Sequence, residues 1–70
     1  MEYNRIKEVL DEQGRTQIWL AKKLDKSYNM VNAYVQNRQQ PRVEVLFQIA
    51  VILGVELHEL LKTVEDIHGA

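Results

Sequence analysis

An all-α domain of five short helices is the fold class this 70-residue chain predicts. Three observations point there. Apolar residues recur at helical spacing from end to end, and no alternating strand pattern interrupts them. Glycines, an asparagine and the single proline fall where such helices should stop. The connections left between them are short, which favours a compact packing of helix on helix.

The first helix places Ile6, Val9, Leu10 and Gln13 on one face, and Gly14 ends it as a left-handed cap. Thr16 stands at an N-cap position, and Leu20, Ala21 and Leu24 give the second helix its buried stripe. Ser27 is the next N-cap, opening a third helix whose inward residues are Val31, Tyr34 and Val35. That helix must stop near Asn37, because asparagine tolerates the left-handed conformation and Pro41 prevents continuation. A fourth helix from Arg42 to Leu53 turns Leu46, Ile49, Ala50 and Leu53 inward and is capped by Gly54. A short fifth helix carries Leu57, Leu60 and Leu61. Residues 1–63 thus form the domain, and residues 64–70 are expected to be a short, fraying tail.

Composition narrows the class. With 46% hydrophobic and 27% charged residues the chain is globular rather than disordered. It contains no cysteine, which excludes disulfides and thiolate zinc sites and fits a reducing cytoplasm. No apolar run approaches the roughly 20 residues that span a bilayer. The N-terminus also lacks the basic-then-apolar order of a secretory signal. Charge is unevenly spread. Residues 15–42 hold six bases (Arg15, Lys22, Lys23, Lys26, Arg38, Arg42) against Asp25 alone, whereas both flanks are acidic and the net charge is −1. One cationic segment on an acidic scaffold suits a polyanion.

The connection between the second and third helices is so short that they must cross steeply, the helix-turn-helix geometry. Here the residues resemble a known family. Thr16-Gln17, Leu20-Ala21, Leu24, Ser27, Val31 and Tyr34, followed by Pro41, Leu46, Ile49-Ala50, Leu53-Gly54-Val55, Leu57 and Leu60-Leu61, are similar to the Cro/cI-type helix-turn-helix DNA-binding domains of phage repressors and small bacterial regulators. The resemblance covers about residues 4 to 62, and its last block is the most specific part. Departures are Asn37 and Asp25 where glycine is common, and Ile18-Trp19 where many members carry charge. A lambda-repressor-like fold is implied, with the third helix in the major groove of double-stranded DNA.

In that geometry a wheel centred on Val31 turns Asn29, Asn32, Ala33 and Gln36 outward, with Tyr28 at the tip. Tyr28, Asn29, Asn32 and Ala33 are the expected base readers: asparagine can pair with adenine and alanine can touch a thymine methyl. No Arg or Lys occurs from Tyr28 to Gln36, so A·T pairs are expected at the contacted positions. The competing reading of the same residues is a solvated helix face. Phosphate contacts are expected from Arg15, Gln17, Asn37, Arg38, Gln39, Gln40 and Arg42. Lys22, Lys23 and Lys26 also fit simple solubilising roles.

The fourth helix is apolar nearly all round, and Phe47, Val51, Val55, Leu57 and Leu61 exceed what one small core needs. They are the expected homodimer interface, unless the last helix and the tail fold back over them. Trp19 with Ile18 either packs against the first helix or the chain ends, or forms a patch for a protein partner, and Tyr3 is expected to cover the core edge. His58 and His68 lack ligand-type companions, and no metal or other cofactor is expected. With no Gly-rich phosphate loop and no acid–base constellation, enzymatic function and a small-molecule substrate are not expected. A dimeric cytoplasmic transcriptional regulator, repressor or otherwise, is the leading reading. An antitoxin-like or adaptor protein whose main partner is another protein is the alternative.

Overall fold

A computed structural model describes residues 2–63. Four α-helices follow one another: α1 (Ile6–Gln13), α2 (Gln17–Leu24), α3 (Tyr28–Val35) and α4 (Val43–Leu53), closed by a 3-10 turn at Leu57–Leu60. The expected fraying tail, with Val64 and His68, lies outside the described residues. None of the described helices is long and apolar enough to cross a membrane.

Local chemistry sets the helix ends. Thr16 Oγ1 accepts the Trp19 amide at 3.0 Å, and Ser27 Oγ accepts that of Met30 at 3.1 Å. Each cap satisfies an otherwise orphaned donor, a contribution of about 1 kcal/mol. Left-handed residues terminate α1, α2 and α4, namely Gly14, Asp25 and Gly54. α3 ends at Gln36, and Asn37 follows with φ 60°. Arg42 is the N-cap of α4 rather than its first residue, because its backbone is still extended.

One core joins all the elements. Ile6, Val9 and Leu10 meet Leu20, Ala21 and Leu24, then Val31, Tyr34 and Val35, then Leu46, Ile49, Ala50, Leu53 and Leu60. Full burial of Ile6, Leu20, Ile49 and Leu60 contributes about 2 kcal/mol apiece. Gln13 lies outside this face, yet its Nε2 donates to the Leu53 carbonyl at 2.8 Å and joins the ends of α1 and α4.

The expected fifth α-helix is corrected to a single 3-10 turn. Glu56 and Glu59 form a capping box around it, and Leu61 then leaves in an extended conformation to bridge Asn4. Two backbone bonds fasten this pairing: Arg5 N–H to Leu60 O at 2.8 Å and Lys62 N–H to Tyr3 O at 2.9 Å. Leu61 is therefore exposed. Tyr3 is also exposed, so its backbone, rather than its ring, does the closing.

Asn4 is the buried polar residue at this junction. Its Nδ2 donates to Tyr34 O and Gln40 Oε1, each at 2.9 Å, and its Oδ1 accepts the Ile6 amide. Asn37 completes the knot: its Oδ1 accepts the amides of Tyr3 and Asn4 at 2.9 Å, while its Nδ2 donates to Asn4 O. Among the described residues no buried side-chain polar atom is left without a partner, as a stable interior requires.

Candidate nucleic-acid interface

The turn between α2 and α3 is three residues long, Asp25-Lys26-Ser27. Asp25 adopts φ 56°, and Lys26 N–H reaches back to Ala21 O at 3.1 Å. The left-handed residue turns the chain sharply, so Leu20, Leu24 and Val31 share one interior while the outer face of α3 stays open. Tyr28, Asn29 and Met30 are exposed there, and Asn32 and Ala33 are half-buried.

Asn32 does not point freely outward. Its Nδ2 donates to Gln17 Oε1 at 2.8 Å, and its Oδ1 accepts from the Arg38 guanidinium at 2.7 Å. Three residues from α2, α3 and the following loop are thereby joined. The loop makes this possible by folding back: Arg38 and Gln39 both donate their amides to Ala33 O. An arginine thus lies against a helix that contains none, a proximity that spacing along α3 does not reveal.

The structure matches one description in particular. The sequence profile of the helix-turn-helix family fits residues 6–60. The chain belongs to that family. Among solved structures, this helix-turn-helix chain is similar to the crystal structure of a presumed DNA-binding protein from Bacteroides fragilis. The two share 39% identity with a TM-score of 0.85, over 89% of this chain and 100% of that one. A search of curated proteins returned no significant match.

The remaining expected phosphate-binding residues of this helix-turn-helix chain fall into separate groups. Gln17 and Arg38 are brought together through Asn32. Asn37 and Gln40 belong to the knot around Asn4, and Gln40 Nε2 also donates to Asn37 Oδ1 at 3.1 Å. Their side chains hold the loop in shape from within. Gln39 and Arg42 are exposed and border a groove with Lys26, Met30 and Tyr34. Arg15 lies apart, its guanidinium 4.4 Å above the Trp19 ring. That stacking covers a half-buried Trp19 packed on the core, whereas Ile18 beside it is 58% exposed.

The apolar surplus also divides. Val55 and Leu57 are half-buried and pack against the core of their own chain. Phe47 and Val51 are 52% and 79% exposed and border a groove with Leu24, Ile52 and Lys23. Phe47 and Val51 lie four residues apart on the outer face of α4, whereas Val55 and Leu57 follow its Gly54 cap.

Proposed function

We propose that this chain is a sequence-specific, double-stranded-DNA-binding transcriptional regulator of the Cro/cI type, acting as a homodimer with α3 in the major groove. The observation that carries the reading is the open face of α3, where Tyr28 and Asn29 are exposed and Asn32 ties Gln17 and Arg38 to the helix. The kinship with a presumed DNA-binding protein supports it. Asn29 offers the paired donor and acceptor that fit adenine, Ala33 a methyl for thymine, and the flanking cations the phosphate attraction that docking needs. Selection from random duplex DNA at two salt concentrations tests this. A two-fold-symmetric consensus rich in A·T at the contacted positions is expected, relaxed at one position by Asn29→Ala. Enrichment of G·C at most half-site positions would refute the base assignment.

The second copy is proposed to dock through Phe47 and Val51 on α4. Two domains then span half-sites about 34 Å apart, and each adds to an affinity that one small domain lacks. Phe47→Glu is expected to shift the sedimenting species to a monomer and weaken operator binding more than tenfold. An unchanged dimer would move the interface elsewhere.

Ile18 favours a second reading, an adaptor or antitoxin-like role. A large apolar side chain this exposed, in a groove with Lys22, Lys26 and Tyr28, suits a protein partner. Recovery of a stable heteromer lost on Ile18→Asp, with no sequence enriched from random DNA, would establish that reading instead.

A further inference from the structure

We infer that Asn32 is a positioning residue and not a base reader: it couples Gln17 and Arg38 into one phosphate-gripping unit. This deepens the DNA-binding reading and rests on it.

The direction of the hydrogen bonds carries the inference. A guanidinium can only donate, so Arg38 fixes the Asn32 amide with its oxygen toward the loop. The Asn32 nitrogen must then face α2, where it donates to Gln17 Oε1. Gln17 is oriented in turn, with its acceptor used and its NH₂ left over. The relay therefore runs one way, and both of its ends are donors: the Nε2 hydrogens of Gln17 and the unused N–H groups of Arg38. Phosphate oxygens are pure acceptors, whereas every base pair in the major groove also presents an amino donor, from adenine or from cytosine. A surface that ends in donors alone on both sides matches the backbone better than a mixed base edge.

The same bonds argue against readout by Asn32 itself. Pairing with adenine needs one amide oxygen and one amide N–H, held side by side and free. In Asn32 the oxygen accepts from Arg38 at 2.7 Å and one of the two N–H groups is given to Gln17 at 2.8 Å, so the amide plane is held between the loop and α2 rather than free to align with a base edge, and the residue is only half exposed. Asn29, which is exposed, carries no such engagement and remains the reader. Asn32 also restrains Arg38, which lies on an exposed loop and would otherwise lose several rotatable bonds of freedom on binding.

Positioning and reading leave different signatures. Binding of the full chain to a panel of duplexes, the selected consensus and its single-base variants, is measured at several salt concentrations for wild type, Asn32→Ala, Arg38→Ala and the double variant. Asn32→Ala is expected to weaken all duplexes by a similar factor, about three- to tenfold. The ranking of bases should stay unchanged, and the salt dependence should become shallower by about one phosphate contact. Arg38→Ala should cost less in the Asn32→Ala background than in the wild type, because the relay is already broken. Loss of preference at a single base pair in Asn32→Ala, with the salt slope intact, would overturn the inference while leaving DNA binding standing. Additive losses in the double variant would overturn it too. A folded wild-type chain that binds no duplex would sink the inference together with the reading beneath it.

Discussion

Asn4 and Asn32 each stand at the centre of an amide network, but one network is sealed inside the fold and the other lies half open at its surface. Around Asn4 every donor finds an acceptor within the chain: Nδ2 serves Tyr34 and Gln40, Oδ1 serves Ile6, and Asn37 closes over the backbone. Around Asn32 the bonds run in line from Arg38 to Gln17 and leave donors at both ends. Burial decides what the same functional group is for. An unmatched donor beside Asn4 would be paid for in stability, whereas one beside Asn32 stays solvated.

The contrast can be broken in steps of decreasing size. Asn4→Ala strands the Ile6 amide in the interior, leaves Tyr34 O with the Asn37 amide alone, and should cost about 3 kcal/mol of folding stability. Urea denaturation measures it, and a loss below about 1 kcal/mol would mean that water substitutes for the side chain. Asn37→Gly comes next. Glycine suits φ 60° better, but the bonds to Tyr3, Asn4 and Gln40 are lost, and a net cost of about 2 kcal/mol is expected.

Asp25 shares that backbone conformation and has no network to lose. Asp25→Gly should therefore stabilise the chain, by up to about 1 kcal/mol in thermal unfolding. It should also tighten DNA binding, since it removes the lone acid from the cationic segment. A destabilised Asp25→Gly would show that the two left-handed positions do not differ as described. Arg38→Ala is the smallest perturbation of the fold, within about 0.5 kcal/mol in the same assay, because Arg38 and the bond it makes are exposed to solvent. A larger loss would make the Asn32 relay a structural element like the Asn4 knot.

How far the sequence foretold these networks depends on range. Helix ends were legible because their causes are local. Thr16 and Ser27 cap amides three residues ahead, and Gly14, Gly54 and Asn37 take the left-handed conformation expected of them. The core face of each α-helix was legible from period alone. The Asn4 knot was not: its bonds span thirty or more residues, as from Asn4 to Tyr34, and no periodicity marks an asparagine that will be buried. Nor was Arg38 placed against α3, since that depends on how the loop folds back onto Ala33. The apolar surplus was visible, but its division was not. Val51 is turned outward by the phase of α4, whereas Val55 is turned toward the core by the course of the chain beyond Gly54, and neither valine's own character decides it.

The pairing of Tyr3 with Lys62 has a consequence for the order of folding. It closes a loop that contains nearly the whole described chain, so its entropy cost can be met only after most of the interior has formed. The contact between α2 and α3, which spans one short turn, carries no such delay. The α2–α3 pair can therefore assemble before the loop that follows it is fastened, because Asn37 has no Tyr3 or Asn4 amide to hold until the ends meet. Hydrogen exchange should reveal the same order in reverse, with the Arg5 and Lys62 amides opening while those inside α2 and α3 stay protected. The shape of the loop after α3 is thus governed by the latest and least local contact in the molecule.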